Sequence, residues 1–527
     1  MTARWGDAER DVLIIGSGFG GAAAAHALVA AGRRVTLLER GDWVTRGPEN
    51  WLPESVGGLS RWFNKETGWR DVSGPRPRPV GTYYCVGGPS VFYGGVSLRF
   101  READFDPLPE IDTDSGARWP FGYSELEPFY GQAEQMIGVA GTAGVDPTEP
   151  FRSTQFPATP LPMAAVSQRI AAAARALGLT PFPLPLAMLT GSSAERKTCM
   201  ACGNCDGFAC AIEAKNDLAT AVIRPLLGQG LDLRTGIAIT RIETDGHRAT
   251  RVIGVDTTTG ESRHYTAPVV ILAAGALATP HLLLASELDS LNPGGDAVGR
   301  FLTRHRNEIL LGIFANRPDP DRTFHKQLGI HDFYFGDPSQ PHGLARAGGL
   351  QQLPTPPIAL ARDGLPKPLR PLARFVDHLT GLLLIAEDQP QHSNGVRLGS
   401  GRDALGMPTL EVSHRYSERD LAAAALLRRH ARRILRKAGA IWVYRHIIDT
   451  YSHALGTVRI GDDPRTAPLD ADHRFRGLEN LYVTDGSALP RAAGVNPSLT
   501  IAAMSMRAAS RIIAATQPAS ARMEPDA

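Results

Sequence analysis

Two stretches of the chain carry residue types whose spacing implies chemistry. Cys199, Cys202, Cys205 and Cys210 stand in C-x2-C-x2-C-x4-C and make up four of the five cysteines. Runs of this kind hold iron–sulfur clusters, although the proline that bacterial ferredoxins place after the last cysteine is missing after Cys210. The second stretch places Gly16, Gly18 and Gly21 in G-x-G-x-x-G, with Glu39 twenty-three residues after Gly16. In that pattern the first glycine permits a tight turn, the second lets backbone approach a pyrophosphate, and the third lets helix and strand pack closely. An acid at about that distance accepts a ribose hydroxyl.

Glycines alone are a weak signal, so the elements that position them decide the reading. Asp11 to Ile15 reads as a short buried strand, an alanine-rich helix follows and stops at Gly32, and Val35 to Leu38 is a second strand ended by Glu39. The helix N-terminus then offers unpaired N–H groups and partial positive charge to phosphates. This order predicts dinucleotide binding. Further on, Tyr83 to Gly95 is a glycine-rich loop, and Trp119 to Gly141 holds an amphipathic helix with its N-cap at Ser124. Residues 228–267 alternate apolar and polar and predict an antiparallel meander. A buried strand, a glycine turn at Gly275 and a helix come next, and residues 315–375, rich in Pro, Gly and Asp, read as long loops. The arginines from Arg428 to Arg436 lie on one long helix and read as a solvated face.

Composition sets the outer bounds. At roughly 100–200 residues per domain, 527 residues predict two to four structural units. Hydrophobic content of 43%, charged content of 21% and a net charge of +2 give an ordinary globular chain with no global attraction to nucleic acid. No run approaches the ~18 apolar residues of a membrane span. Residues 1–10 lack the pattern of a secretory signal, so a cytoplasmic location is expected, with neither membrane nor nucleic acid as partner. No H-x-x-x-H or carboxylate cluster points to a catalytic metal.

The densest pattern lies near the C-terminus. It comprises H-x-x-G-T at His453 to Thr457, G-D-D-P at Gly461 to Pro464, L-Y-V-T-D-G-S-A-L-P at Leu481 to Pro490, and G-V-N-P-S-L-T-I at Gly494 to Ile501. Together with the opening fingerprint, the Cys85 to Gly95 loop and V-G-R-F-L-T-R-H at Val298 to His305, it resembles the glucose–methanol–choline (GMC) family of flavin oxidoreductases over nearly the whole chain.

The resemblance implies an α/β, Rossmann-like FAD-binding domain and an α+β substrate domain built on an antiparallel sheet. Residues 1–110, 200–300 and 450–516 would form the first, residues 111–199 and 301–449 the second, and 517–527 a disordered tail. It assigns Gly16, Gly18, Gly21 and Glu39 to the ADP half of FAD, Ile239 to the adenine, and Gly87, Gly88 and Ser90 to the loop beside the isoalloxazine. Gly275, Asp485, Gly486, Asn496, Pro497 and Ser498 complete the cofactor set. Alcohol oxidation needs a group that takes the hydroxyl proton, and imidazole titrates near working pH. The resemblance places that base at His453 and its hydrogen-bonding partner at Asn496. Some relatives attach flavin through a histidine where this chain has Phe92, so FAD is expected to be non-covalent. His305 and His26 are read as structural. In a few relatives the cysteine segment binds an iron–sulfur cluster and in many it binds nothing. A metal-free loop is the reading here, with a cluster or zinc as alternatives.

The implied reaction is oxidation of an alcohol on a sugar-like substrate, a glycoside or an aminoglycoside, with oxygen or another acceptor taking the electrons. An aminoglycoside would call for some of Asp319, Asp321, Asp332, Asp337, Glu387 and Asp388 to face the cavity. A sterol or long-chain alcohol is the alternative substrate, and an inactive flavin-binding module the non-enzymatic one. Oligomeric state is not readable.

Overall fold

The structure is a computed structural model that describes residues 10–339 and 343–516, so the expected tail at 517–527 lies outside the described residues. Its first layer is a parallel sheet of five strands. In spatial order they are Leu231–Arg234, Val35–Leu38, Val12–Ile15, Val269–Leu272 and Leu481–Val483. The central strands are buried along their whole length, as expected where helices cover both faces of a parallel sheet. Segments more than four hundred residues apart meet here. The helix Phe19–Ala30 packs against the last helix, Ser498–Ala515, and Ser505 Oγ donates to the Gly20 carbonyl. Both chain ends thus build one Rossmann-like core.

The second main layer is a six-stranded sheet in the order Trp442–Ile447, Arg306–Ile313, Leu379–Ala386, Gly348–Leu353, Leu328–Ile330, Phe182–Pro183, antiparallel throughout. The helices Ala165–Arg175 and Glu418–Lys437 bury their apolar stripes on one face, where Leu310, Leu350, Leu382 and Leu384 meet Leu427, Ile434 and Leu435. The long helix is opened by a capping box in which Ser417 and Asp420 satisfy each other's backbone N–H.

Three sequence expectations change. Residues 228–267 are not one meander. Leu231–Arg234 joins the edge of the parallel sheet, and only Ile237–Thr244, Ala249–Asp256 and Ser262–Tyr265 pair antiparallel. A half-exposed edge strand alternates like a meander strand, so the pattern could not separate them. The 315–375 stretch is not all loop, because Leu328–Ile330 and Gly348–Leu353 are central strands. The latter, GGLQQL, is buried at every position and so shows no alternation. The Trp119 to Gly141 helix begins at Tyr123 with Gly122 as its N-cap rather than Ser124.

Candidate active site

At the nucleotide end the fingerprint glycines separate into two kinds. Gly16 has φ of +99°, and a Cβ there would lie 2.5 Å from the Ala273 carbonyl oxygen. A Cβ on Gly21 would come within 1.9 Å of the Gly16 oxygen, so both positions are small because protein backbone fills the space. A Cβ on Gly18 would meet nothing within 4 Å. Gly18 also precedes a helix whose N-terminus has no side-chain cap, leaving its N–H groups to a ligand. Glu39 is buried and accepts from Ser17 N at 3.1 Å, Ser17 Oγ at 2.5 Å and Gly41 N at 2.8 Å. Burial pushes its carboxyl up, against the pull of these donors.

Ser17, an unassigned position inside the fingerprint, joins the nucleotide end to the second glycine loop. Its Oγ accepts from Gly87 N at 3.0 Å, and Gly88 lies so near Gly18 that a Cβ would sit 3.5 Å from the Gly18 Cα. Ser90 is consumed internally, donating to the Gly87 carbonyl at 2.6 Å and accepting from Leu218 N at 3.0 Å. Ile237 N donates to the Glu39 carbonyl at 3.0 Å, which sets the strand bearing Ile239 beside the acid. Asp485 acts as a staple. It accepts from Gly275 N at 2.9 Å, Ser487 N at 2.8 Å and Thr279 Oγ1. Gly275 has φ of +95° and, like Gly18, open space where a Cβ would stand. These residues therefore fit a dinucleotide: open space at two glycines, a free helix N-terminus, and an acid at the end of the second strand.

Gly456 N donates to the Gly486 carbonyl at 3.1 Å, which carries the H-x-x-G-T segment onto the Asp485 turn. Half-buried His453 places its Nδ1 2.9 Å from His305 Nδ1. His305 Nε2 lies 3.1 Å and 2.9 Å from the carbonyl oxygens of Ala492 and Ala493. Carbonyls only accept, so His305 Nε2 carries a proton. With both rings neutral, His305 Nδ1 is then the acceptor and His453 Nδ1 the donor. His453 is left with its lone pair on Nε2, the form a proton acceptor needs. Burial holds the His453 pKa well below the ordinary imidazole value, which keeps the ring uncharged.

His305 is itself held firmly. It adopts φ of +60°, rare for a side chain of its size. Asp388 fixes that conformation by accepting from Arg304 N at 2.9 Å and His305 N at 3.0 Å, and Tyr416 donates to the His305 carbonyl at 2.8 Å. On the same C-terminal turn, Asn496 Oδ1 accepts from Gln351 Nε2 at 2.5 Å, which leaves the Asn496 amide nitrogen free to donate. The turn is fixed from below by Glu387, which pairs with Arg491 at 3.2 Å and accepts from Ala493 N at 3.1 Å. Pro497 and Ser498 open the last helix without a side-chain cap, and Ser498 Oγ reaches the Val96 carbonyl at 3.4 Å.

The chain matches the GMC oxidoreductase family over residues 78–307 and 390–505, and a NAD(P)-binding Rossmann-like domain over residues 14–45. It is 31% identical to paromamine 6'-oxidase of Streptomyces fradiae, over 95% of this chain and 91% of that protein. It is 32% identical to 6'''-hydroxyparomomycin C oxidase of Streptomyces lividus, over 97% and 92%. The chain belongs to the GMC oxidoreductase family. Its fold matches the crystal structure of pyridoxine 4-oxidase from Mesorbium loti with a TM-score of 0.67 at 19% identity, covering 95% of this chain and 99% of that one.

As a GMC oxidoreductase the chain uses FAD, and the open glycine cradle accords with that. Phe92 is buried and stacks on Tyr83 with ring centroids 4.3 Å apart, so it is a packing residue. The cysteine run is organised around a lysine. Lys215 Nζ donates to the carbonyls of Tyr93 at 2.8 Å, Cys205 at 3.0 Å and Phe208 at 2.6 Å. Burial pushes the Cys205 thiol up to about 12 and raises Cys199 as well. Among the described residues no group of three or more His, Cys, Asp or Glu side chains is arranged to hold a metal ion. No helix among them is long and apolar enough to cross a membrane. Of the carboxylates expected at a cationic substrate, five are bonded within the protein. Asp319 pairs with His325, Asp332 accepts from Thr180 N, Asp337 pairs with Arg429, Glu387 with Arg491, and Asp388 with His414. Asp321 is exposed.

Proposed function

We propose that this GMC oxidoreductase oxidises an alcohol on a sugar-like molecule, a glycoside or aminoglycoside, to the carbonyl, with His453 as the base and Asn496 as its hydrogen-bonding partner. The observation that carries this reading is the paired contact of His453 with His305, which leaves a lone pair on His453 Nε2. The substrate hydroxyl donates to that nitrogen, which receives its proton as the carbon loses hydride. Asn496 donates its amide to the same oxygen and stabilises the negative charge that develops there as the proton leaves. FAD, when bound, supplies the acceptor for the hydride. Gly16, Gly18, Gly21, Glu39 and Ile239 would hold its adenosine and phosphates. Gly87, Gly88, Gly275, Asp485, Gly486, Pro497 and Ser498 shape the remainder, with Ser90 bracing the loop.

The substrate class follows the two Streptomyces relatives, whose names specify aminoglycosides. The sheet face next to Asn496 carries the row Ile309, Leu383 and Gln351. The two apolar side chains nearest Gln351 suit an uncharged hydroxymethyl end, and the row continues outward to His446. The strands from both chain ends support a FAD domain made from 1–110, 200–300 and 450–516, and the antiparallel sheet a substrate domain from 111–199 and 301–449. The test is anaerobic mixing of the yellow holoenzyme with sugars, aminoglycosides, sterols and fatty alcohols. Bleaching by aminoglycosides or glycosides is expected. Bleaching by sterols alone would replace the substrate class, and bleaching by none of the panel would remove it.

A further inference from the structure

Residues 358–378 hold large apolar side chains in solvent that the oxidation site does not use. Lys367–His378 winds as successive 3₁₀ turns of three residues each, so every third residue falls on one ridge. One ridge turns inward and buries Ala373 and Val376. Another turns outward with Leu369, Leu372 and Phe375, which are 45%, 51% and 48% exposed. The short helix Ile358–Asp363 packs between this segment and the turn Pro53–Ser55. It adds exposed Ile358 and Leu360, and the chain entering that turn adds Trp51 and Leu52. Together they make one apolar face on the order of several hundred Å², more than a monomeric surface ordinarily leaves uncovered. Cations flank its outer ridge. Arg362, Lys367 and Arg374 are exposed, Arg370 is half-buried, and none has a carboxylate partner among the described residues. Arg374 lies over the Phe375 ring at 4.7 Å. Asp377 is taken by Arg322 at 2.8 Å, which leaves Asp363 as the free acid of this segment. Glu49 and Glu54 stand at the other end of the face, beside Trp51 and Leu52.

We propose that this face seats the enzyme peripherally on an anionic lipid bilayer, with the Leu369, Leu372 and Phe375 ridge at the acyl boundary and the flanking cations among the headgroups. Leucine and aromatic side chains bordered by lysine and arginine are what an interfacial helix presents to lipid. A negatively charged bilayer surface draws in each cation close to it. A second copy of the chain fits less well, because a two-fold contact would bring two sets of these cations together. Peripheral seating needs no spanning helix, and it replaces the expectation that no membrane is a partner. The seat is fastened to the substrate sheet. Phe314 N donates to the His378 carbonyl at 3.0 Å, and Thr355 Oγ1 donates to the Leu379 carbonyl at 2.7 Å. The inference does not depend on which alcohol the site takes.

The test sediments the full chain as yellow holoenzyme with vesicles of phosphatidylcholine, alone or mixed with phosphatidylglycerol. The enzyme should pellet with the anionic vesicles and detach as salt is raised. Leu372→Asp removes apolar contact and adds a repelled charge, so binding should weaken at least about tenfold. Lys367→Gln should weaken it about fivefold at low salt. Both variants should keep the native flavin content and the native rate of flavin reduction by a soluble alcohol, because neither residue touches the oxidation site. A native enzyme that stays in the supernatant with anionic vesicles overturns the proposal, and so does undiminished binding by Leu372→Asp. Should that variant lose its flavin, undiminished binding by Lys367→Gln overturns it instead. A native dimer in analytical ultracentrifugation that Leu372→Asp turns into a monomer gives the face to a second copy and overturns the proposal as well.

Discussion

The nucleotide end and the oxidation end of this molecule are built on opposite plans. At the first, the chemistry is backbone: open space in front of Gly18, free N–H groups at one helix, and an acid at the end of the adjacent strand, all within residues 12–39. At the proposed oxidation end the chemistry is side chain, and each proposed group is oriented by a partner far away in the chain. His453 is set by His305, 148 residues before it, and Asn496 by Gln351, 145 residues before it. A site made of backbone tolerates changes in side chains around it. A site made of oriented side chains should fail when either the group or its partner is changed.

The largest effect is expected at His453. General-base assistance is worth ~10²–10⁴ in rate. His453→Ala should slow anaerobic flavin reduction at least about a hundredfold, with FAD still bound. In the native enzyme the rate should be flat at neutral pH and fall only as acid protonates His453. Burial lowers that pKa, so the fall should begin below the ordinary imidazole value of about 6.5. Stopped-flow reduction across pH checks both points. A native rate and profile in His453→Ala would remove the oxidation end from this comparison altogether.

The next effect tests orientation rather than chemistry. His305→Phe keeps a ring and deletes the acceptor for His453 Nδ1. The His453 tautomer is then no longer fixed, and reduction should slow by roughly ten- to a hundredfold, within the range that loss of general-base help allows. His305→Asn, whose amide can still accept from His453, should recover part of the rate. Equal loss in both variants would reduce His305 to a packing residue. Gln351→Leu should have a smaller effect. It removes the donor that holds Asn496 Oδ1, and a preorganised donor to developing charge is worth at most ~10²–10³. Because the Asn496 amide survives, about a tenfold loss in the reduction rate is expected, with little change in substrate affinity.

The same contrast explains what could be read in the sequence. The nucleotide end was legible because its glycines, helix and acid are contiguous and each has a local steric reason. The assignment of His453 and Asn496 rests on resemblance to a family, since nothing in their own neighbourhoods distinguishes a base from a structural histidine. Their partners were not located. Gln351 lies in GGLQQL, a strand buried on both faces and hidden among loops by composition. His305 stood in a recognised motif, but its contact with His453 exists only once two sheets and the C-terminal turn have come together.

The smallest effect on rate is expected at Glu39, and it is the sharpest test of the contrast. Glu39 lies in the nucleotide end, held by Ser17 and Gly41, and no contact joins its carboxylate to His453, His305, Asn496 or Gln351. Glu39→Ala removes the acceptor proposed for a ribose hydroxyl and frees Ser17, which also braces Gly87. Cofactor retention should therefore suffer, by about the tenfold that one lost hydrogen bond to a charged group represents. The flavin that remains should be reduced within about twofold of the native rate, since general-base and amide contacts are intact. FAD released on dilution measures the first quantity, and stopped flow normalised to bound flavin measures the second. A variant that holds its full complement of FAD yet reduces it a hundredfold more slowly would show that the two ends do not divide the labour of binding and oxidation between them.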